Sequence, residues 1–393
     1  MTRHAILDVI IVGAGAAGVG CAAALKACGV QRMVLLDAKG AGGSFASWPV
    51  QMRMLTPSFH AGSFGQVDLN SVTPDTSVAD CLHTEHSTGA QYARYLDALV
   101  KYHELEVQAP VFVNSVRQTA QGFEVQTSAG AYRSRFVIWA TGEFARPDYG
   151  AVQGAEYCRH SSRVSDWSEL EGDAFVLVGG YESGVDAAIH LSQLGKEVTL
   201  LSRGEPWVMD NADPSLSLSP RTLDRLRDAL LNAPGLIRFQ GNVEITRVEK
   251  TPSGYELINA DGDAYQCATM PILCTGFHHP LDPVRHLFAW RDGLAVFDES
   301  SDSSTITPGL YYSGPALQHR GALFCFIYKF RSRFGIVARD IAQHLGLKWK
   351  KPLKQWAERG FMREDLSCCA DCQCAIPRDE ESAHRLREHE SVR

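Results

Sequence analysis

The chain has 393 residues, of which 45% are hydrophobic, and a formal net charge of −7. This length predicts two or three domains, and the modest charge, without a basic stripe, excludes nucleic acid as an expected partner. The apolar stretches are only as long as strands, which is too short to span a membrane. The first apolar stretch is followed too soon by glycines to be a secretory signal. We therefore expect no membrane association and a cytoplasmic location.

The first pattern in the chain predicts a strand, a glycine turn, a helix and a second strand. An apolar run at residues 8–12 is followed by Gly13, Gly15 and Gly18, and a second apolar run ends on Asp37. Gly13 permits a tight turn, Gly15 admits a pyrophosphate, and Gly18 lets the helix pack closely on the strand. Asp37 stands where a carboxylate accepts a hydrogen bond from a ribose hydroxyl. The spacing predicts dinucleotide binding; the alternative is an ordinary turn between a strand and a helix.

A glycine-rich loop with aromatic residues follows this fold. It contains Gly43, Ser44 and Trp48, and a later strand ends in Thr141 and Gly142. In these residues the chain resembles the two-dinucleotide-binding flavoproteins, which include thioredoxin reductases, bacillithiol-disulfide-reductase-like proteins and flavin-containing monooxygenases. The resemblance implies that the first fold holds FAD, with the loop near the flavin; the alternative for Trp48 is a core aromatic. Between the two motifs, periodicity predicts a helix over 88–102 and strands over 111–113, 122–127 and 136–140.

A second strand, at residues 175–178, begins a repeat of the first fold. Its glycine turn covers residues 179–184, with a helix over 185–194 and a strand over 198–201. The middle glycine is replaced by Tyr181, whose side chain would crowd a pyrophosphate. The pattern favours a second nucleotide site over a purely structural unit. Its expected contacts are Gly179, Gly180, Ser183 and Gly184.

Arg203 indicates which nucleotide the second fold prefers. It stands as far after Gly179 as Asp37 stands after Gly13. A cation at this position accommodates a 2′-phosphate that a carboxylate would repel, which favours NADPH over NADH. The alternative is an exposed arginine on a loop.

The last part of the resemblance lies between residues 271 and 345. Residues 271–277 end in a second T-G turn, and a strand at 310–312 precedes Gly314, which the resemblance places near FAD. Pro315 follows where disulfide reductases usually have Asp, a departure toward the monooxygenase-like members. Aromatic and basic residues alternate over 324–334. We predict that this segment leads into a helix and keeps its basic side chains exposed or turned toward phosphate.

These patterns predict an α/β protein with two Rossmann-like dinucleotide-binding domains and a cysteine-rich tail. We place the FAD-binding domain at residues 1–165 and 266–345, the NAD(P)H-binding domain at 166–265 and the tail at 346–393. The expected cofactors are FAD and NADPH. The residues expected to bind FAD are Gly13, Gly15, Ala16, Gly18, Asp37, Gly43, Ser44, Trp48, Thr141, Gly142 and Gly314.

Eleven cysteines fall into two groups. Seven are scattered through apolar or helical sequence and read as buried, reduced thiols. Four are clustered in the tail and are candidates for a redox group, a soft-metal site or inert thiols. The clustered cysteines are Cys368, Cys369, Cys372 and Cys374.

The sequence predicts an FAD-dependent, NAD(P)H-consuming oxidoreductase and leaves three reactions open. In the first, electrons pass to O₂ and a substrate, as in flavin monooxygenases, although the linker from Gly154 to His160 is too long by two for their G-x-x-x-H-[ST] fingerprint. In the second, the protein is an NADPH-dependent thiol/disulfide reductase, and the tail cysteines pass the electrons to a disulfide. In the third, the protein is a non-enzymatic redox sensor or handles metals. No catalytic residue is assigned, and the alternative role of His160, outside such a fingerprint, is an interdomain hydrogen bond. We expect the substrate to be a small molecule or a small thiol or disulfide. We also expect a homodimer.

Overall fold

The structure, a computed structural model, describes residues 6–60, 65–209 and 217–366. Contacts group the described residues into two compact units. The first takes those within 6–47, 56–145 and 279–366, and the second takes those within 48–55 and 146–278. We predicted boundaries after residues 165 and 265, and the division falls elsewhere because the intervening chain bonds within the second unit. Asp148 N donates to Gly276 O over 3.0 Å, for example.

The chain from residue 6 to 145 alternates helices and strands. The helix predicted over residues 88–102 is present and begins with a capping box. The Thr88 side chain accepts from the backbone N–H of Gln91, and the Gln91 side chain accepts from the backbone N–H of Thr88. The strand predicted at 111–113 is wrong in position, since an edge strand with only Val116 buried starts at Val113. The elements are β1 (Leu7–Val12), α1 (Ala16–Ala27), β2 (Met33–Leu36), α2 (Gly43–Ala46), α3 (Val78–Leu82), α4 (Gly89–Tyr102), β3 (Val107–Gln108), β4 (Val113–Thr119), β5 (Gly122–Thr127) and β6 (Gly130–Trp139).

The chain from residue 146 to 278 repeats the same alternation. Its helix at the glycine turn begins earlier than predicted, because Glu182 and Ser183 already have helical geometry. The elements are β7 (Arg159–His160), β8 (Ala174–Val178), α5 (Glu182–Gln193), β9 (Glu197–Leu201), α6 (Pro220–Asn232), β10 (Ile237–Gln240), β11 (Ile245–Thr251), β12 (Gly254–Asn259), β13 (Ala264–Cys267) and β14 (Ile272–Leu273).

The described residues after 278 return to the first unit. We predicted that a tail begins at residue 346, but residues 346–366 pack on this unit: Phe361 is fully buried, and Gly335 N donates to Phe361 O over 2.8 Å. The elements are β15 (Ala289–Arg291), β16 (Leu294–Val296), β17 (Leu310–Tyr312), β18 (Gln318–His319), β19 (Ala322–Leu323), α7 (Ile327–Phe330), α8 (Phe334–His344) and α9 (Lys354–Glu358).

The main sheet of the first unit has the order β3-β2-β1-β6-β5-β4 among the described strands, and β17 also pairs with β6. Strands β1, β2, β3, β6 and β17 run parallel to one another, whereas β5 pairs antiparallel with β6, and β4 pairs antiparallel with β5. Strand β1 lies between β2, which follows it in the chain, and β6, which the chain reaches only after β3, β4 and β5, so the strand order reverses at β1. A ligand crevice is expected where such strand order reverses.

Small side chains let the first helix lie close to its neighbours. Helix α1 is buried along nearly its whole length and consists mostly of Ala, Gly and Val. A Cβ atom on Gly20 would lie 2.0 Å from the ring of Phe334 on α8. Gly20 is therefore required for the packing of α1 against α8.

The second unit contains a five-stranded parallel sheet in the order β10-β9-β8-β14-β7 and an antiparallel sheet of β11, β12 and β13. One core cluster joins α5 and α6 to the parallel sheet through residues such as Leu177, Val185 and Leu226. A second cluster, which includes Val176 and Leu257, fills the space between the two sheets. The internal repeat expected from the sequence is thus present as two Rossmann-like folds, each built on parallel strands.

We expected exposed or phosphate-facing basic side chains in the 324–334 segment, and two of its three basic residues are buried instead. Arg331 and Arg333 are 6% and 1% exposed, so they do not lie at the surface. Arg331 Nη1 donates to Ser71 O over 2.9 Å and to Asp68 O, while Arg333 pairs with Asp302. A buried guanidinium must be paired, and these carbonyl and carboxylate oxygens supply its acceptors. In the described part of the chain, no helix has the length and apolarity to cross a membrane.

Candidate functional site

The first glycine turn separates packing glycines from an open one. A Cβ on Gly13, whose φ is +107°, would lie 2.4 Å from Ala140 O, and one on Gly18 would lie 1.9 Å from Gly13 O. Both positions therefore need glycine for the protein's own packing. A Cβ on Gly15 would meet no atom within 4 Å. The open space beside Gly15, at the N-terminus of α1, fits a pyrophosphate that needs close approach to the backbone.

Asp37 is held beside this turn by backbone donors. Its Oδ2 accepts from Ala14 N over 2.8 Å, and its Oδ1 accepts from Lys39 N over 2.7 Å and Gly40 N over 2.9 Å. The half-buried carboxylate lies just after β2, the strand next to β1. A carboxylate has acceptor sites beyond these three bonds, so it can also accept from a ribose hydroxyl.

The following loop is tied to the same turn through Gly42, a residue that we did not single out. Gly42 N donates to Ala14 O over 2.9 Å. Its φ is +68°, and a Cβ there would lie 2.7 Å from Ala93 Cα, so only glycine fits. Gly42 positions the short helix α2, in which Gly43 is buried and Ser44 is half-buried. The adjacent glycines in the sequence were the signal for this residue.

Three parallel strands deliver the other predicted FAD contacts to one sheet edge. Ala140 N donates to Val12 O over 2.8 Å, which sets the end of β6 beside the end of β1. Thr141 and Gly142 follow directly, both half-buried. Strand β17 pairs with β6, and Ser313 N donates to Trp139 O over 3.1 Å, so Gly314 comes to the same edge. Ala16 begins α1 there as well. Apart from Trp48, the residues predicted to bind FAD therefore share one edge of the first unit.

A buried ionic network supports the end of β17. Asp302 is fully buried and contacts Arg333, whose Nη2 lies 2.8 Å from Asp302 Oδ1, and His319, whose Nε2 lies 2.7 Å away. The backbone carbonyl of Asp302 also accepts from Tyr312 N over 3.0 Å. The Tyr312 hydroxyl in turn accepts from Ala316 N over 3.0 Å, which braces the turn at Gly314. Sequence reasoning missed this network, because its members are far apart in the chain.

Trp48 belongs to the second unit, so it is not grouped with Gly43 and Ser44. It is half-buried and begins a segment, residues 48–55, that bonds to residues 165–167. Val50 N donates to Ser165 O over 2.9 Å, and the Gln51 side chain bonds both Asp166 and the backbone of Trp167. Its proximity to the flavin stays a prediction.

The second glycine turn reproduces the geometry of the first. Gly179 has a φ of +109°, and a Cβ there would lie 2.3 Å from Cys274 O. A Cβ on Gly184 would lie 1.8 Å from Gly179 O. The strand-end bond is repeated too, since Cys274 N donates to Val178 O over 2.7 Å. The helix α5 therefore presents its N-terminus, with Ser183 in its first turn, as α1 does in the first fold.

Gly180 and Arg203 have different surroundings at this turn. A Cβ on Gly180 would lie 2.6 Å from Trp207 Cζ3 and 2.7 Å from Ser202 Oγ, so packing requires glycine. Ser202 is buried against it. Arg203 is 81% exposed, and its Nη1 lies 4.0 Å from an exposed Glu244 carboxylate. An exposed pair at this distance contributes little, so the guanidinium is available to a phosphate.

His160 is a buried structural residue within the second unit. Its Nε2 lies 2.9 Å from Gly276 O, so Nε2 carries the proton, and Nδ1 then accepts from the Ser162 hydroxyl over 2.8 Å. Burial lowers the pKa of His160 below its ordinary value. We expected a hydrogen bond between domains, but both bonds of the His160 ring lie within the second unit, where they fix the T-G turn after β14.

Of the seven cysteines that we predicted to be buried thiols, five are buried, whereas Cys81 and Cys325 are exposed, so the prediction of burial is wrong for these two. The strongest case is Cys21 on α1, which is fully buried and hydrogen-bonded to Ser313. Cys368, Cys369, Cys372 and Cys374 lie outside the described residues. Within residues 6–60, 65–209 and 217–366, no cluster of three His, Cys, Asp or Glu side chains is arranged to hold a metal ion. Burial raises the pKa to about 12 for Cys21, Cys28, Cys158 and Cys274.

Two Rossmann-like sheets, each with a glycine turn at the N-terminus of its first helix, define a protein with two dinucleotide-binding folds. A sequence model of the pyridine nucleotide-disulphide oxidoreductase family matches residues 10–314. The chain belongs to this family, and it is accordingly an oxidoreductase that works with FAD and NADPH.

Curated relatives agree at the level of the family. The chain is 24% identical over 233 residues to bacilliredoxin reductase Bdr of Bacillus subtilis, covering 56% of this chain and 66% of that protein. It is 25% identical over 251 residues to a ferredoxin–NADP reductase of Lacticaseibacillus paracasei, covering 61% and 70%. The match thus spans about two thirds of the length of these relatives.

Solved structures show the same fold. The bacillithiol disulfide reductase Bdr of Staphylococcus aureus matches with a TM-score of 0.70 at 22% identity, covering 86% of this chain and 98% of that chain. A flavin-containing monooxygenase of Stenotrophomonas maltophilia matches with a TM-score of 0.65 at 20% identity, covering 86% and 99%. At these identities the likeness concerns the fold alone.

Proposed function

We propose that the chain transfers a hydride from NADPH, bound at the second glycine turn, to FAD, bound at the first, and passes the electrons to O₂ and a small substrate. The observation that carries this proposal is the duplicated turn. Gly13 and Gly179 have φ values of +107° and +109°, and both face the carbonyl of a neighbouring strand end. FAD supplies the two-electron chemistry, and the protein supplies binding and orientation.

The residues of the first unit would hold FAD in distinct ways. The α1 N-terminus and the open position at Gly15 would receive the pyrophosphate, and Asp37 would accept from the ribose. The braced turn at Gly314 and the strand end at Thr141 and Gly142 would support the rest of the cofactor.

The buried thiols favour direct delivery of electrons to a small acceptor. The thiolate is the reactive form of cysteine, and burial raises the pKa of Cys21, on α1 of the first fold, to about 12. Cys274, beside the second turn, has a pKa raised to about 12 for the same reason. These two buried thiols, the ones nearest the two glycine turns, are therefore poor carriers of electrons. Pro315, where the resemblance leads us to expect Asp in a disulfide reductase, points the same way.

A small disulfide is the second candidate acceptor. It is favoured by the family match and by the similarity to bacilliredoxin reductase. In this reaction the thiols at Cys368, Cys369, Cys372 and Cys374 would be the electron carriers.

The two acceptors can be separated with one pair of proteins. The full chain and a variant with all four tail cysteines replaced by Ser are loaded with FAD, and NADPH consumption is followed with O₂ alone and, under anaerobic conditions, with a low-molecular-weight disulfide. We expect oxygen-dependent consumption that is equal in both proteins. Consumption that requires the disulfide and is lost in the Ser variant would replace the oxygen reaction with the second candidate. Failure of NADPH consumption under every condition would leave a sensor role instead.

A further inference from the structure

The second turn carries a side chain at the position that is open in the first turn. Gly15 and Tyr181 both precede the first residue of their helix, with φ and ψ of −82° and −166° for Gly15 and −89° and −166° for Tyr181. Equal backbone angles give the Cα–Cβ bond the same direction in each fold. A Cβ on Gly15 would point into open space. In the second fold, the side chain of Tyr181 projects from its Cα in the corresponding direction.

The Tyr181 side chain reaches from the turn to the segment before α6. Its hydroxyl donates to Ser217 O over 2.7 Å, and the residue is 39% exposed. The side chain therefore extends from the turn to Ser217 and leaves part of its surface in solvent. A ring in this place and a dinucleotide pyrophosphate at the N-terminus of α5 compete for the same space.

The neighbouring residue reinforces the connection to α6. The Glu182 carboxylate accepts from Ser219 N and, over 2.6 Å, from the Thr222 hydroxyl. Ser219 also caps α6 by accepting from Thr222 N. Burial raises the pKa of Glu182 above its ordinary value, although both of these hydrogen bonds oppose the rise. Two adjacent residues of the turn, Tyr181 and Glu182, thus hold the start of α6.

We propose that Tyr181 is a specificity-determining residue that lowers the affinity of the second fold for dinucleotides, because a pyrophosphate binds only after the ring leaves the turn and its bond to Ser217 breaks. The inference rests on the proposed function, since it assumes that NADPH binds at this turn. The cost of opening the nucleotide site is thereby assigned to one side chain. Glu182 stays bonded to α6, so the rearrangement is confined to the tyrosine ring.

The test is a calorimetric titration of NADP⁺ into the FAD-loaded full chain. NADP⁺ leaves the flavin oxidised, so the readout is binding and not turnover. Tyr181→Gly restores the glycine of the first fold, Tyr181→Ala is a second truncation, and Tyr181→Phe removes only the bond to Ser217. The matched control is Tyr157→Ala, because Tyr157 lies in the same unit and is also 39% exposed.

The proposal predicts a graded result. Loss of one intramolecular hydrogen bond from the nucleotide-free state should tighten NADP⁺ binding by about two- to tenfold in Tyr181→Phe. The Gly and Ala variants should bind at least as tightly as the Phe variant, and Tyr157→Ala should match the parent. Unfolding midpoints and FAD content identify any variant that has lost its fold, in which case Tyr181→Phe decides the question.

Two results would overturn the proposal, and they are distinguishable. If the parent binds NADP⁺ and the Tyr181 variants bind with equal or lower affinity, Tyr181 is not an obstacle, while the proposed function stands. If no protein in the series binds NADP⁺, both the inference and the nucleotide site fail. Binding by Tyr181→Gly alone would support the inference in its strongest form.

Discussion

At the scale of single residues, the glycines of the first turn have separable roles. Gly18 is required by contact with the protein, because a Cβ would lie 1.9 Å from Gly13 O, whereas Gly15 faces open space. A substitution at Gly15 is therefore expected to change ligand affinity, whereas one at Gly18 is expected to change the stability of the fold.

Gly15→Ala is expected to leave the apoprotein as stable as the parent and to weaken FAD binding, since the added methyl enters the space assigned to the pyrophosphate. The matched variant Gly18→Ala is expected to lower the free energy of unfolding of the apoprotein by about 1–3 kcal/mol, the usual cost of overpacking. FAD content after reconstitution and urea unfolding check the two expectations. Full FAD affinity in Gly15→Ala would contradict the assigned site.

Arg203→Glu is expected to narrow or reverse the preference for NADPH over NADH. The exposed guanidinium would form a charge-assisted contact with the 2′-phosphate, and its replacement should cost about 1–3 kcal/mol of NADPH binding. The measurement is kcat/KM for each nucleotide. Arg238→Glu is the control, because Arg238 is an exposed arginine of the same unit that pairs with Glu197 over 3.3 Å. An unchanged ratio in Arg203→Glu would remove Arg203 from the site.

His160 is expected to make the protein less stable as the pH falls. Burial lowers its pKa in the folded state, so the unfolded chain binds the proton more readily. Stability from this residue is therefore full above the ordinary pKa of about 6.5 and is lost as the pH falls from there toward the lowered value. His160→Gln keeps a donor for Gly276 O and does not titrate. Urea unfolding at several pH values should show a smaller loss on acidification in the variant; equal slopes would contradict the expectation.

At the scale of elements, the sequence predicted what is periodic and missed what is paired by tertiary contacts. Both glycine folds were predicted, because apolar strands and small helical residues repeat in the same order. Helix α6 was missed, although Ser219 as N-cap, Pro220 in the first turn and the spacing of Leu223, Leu226 and Leu230 are signals for it. Strand β13 was missed because only Cys267 of its four residues is buried.

The candidate site was predictable to the same degree. Glycine spacing located both turns, since close backbone contacts require glycine at the first and last positions of each turn, Gly13, Gly18, Gly179 and Gly184. The burial of Arg331 and Arg333 was not predictable, because their acceptors lie on distant segments around Asp68, Ser71 and Asp302. The replacement at Tyr181 was visible in the sequence, but its bond to Ser217 required the structure.

Asp302→Asn is expected to lower the free energy of unfolding by about 3–5 kcal/mol, because it leaves a buried Arg333 without its charge partner. The loss should extend to FAD binding, since the backbone of Asp302 holds Tyr312 and hence the turn at Gly314. Urea unfolding and FAD content measure both effects. Asp292→Asn, at an exposed turn between β15 and β16, is the control and should behave as the parent. A stable Asp302→Asn protein with full FAD content would show that the network is dispensable.

At the scale of the whole molecule, one chain contains two copies of a dinucleotide-binding fold with different surroundings. In the first unit, the position of Gly15 is open, and Asp37 stands ready at the neighbouring strand end. In the second unit, Tyr181 covers the corresponding position, and Arg203 takes the place of the acid. Two similar folds with opposite charges at the ribose end are suited to two different dinucleotides.

Anaerobic titration of the FAD-loaded chain with NADPH tests this division most directly. The purified protein should be yellow, and NADPH should remove the absorbance of the oxidised flavin, with NADH acting more slowly. Gly15→Ala should reduce the amount of flavin bound, and Arg203→Glu should slow its reduction by NADPH without changing that amount. A colourless protein that takes up no FAD on reconstitution, or bound FAD that NADPH leaves oxidised, would contradict the assignment of the two folds.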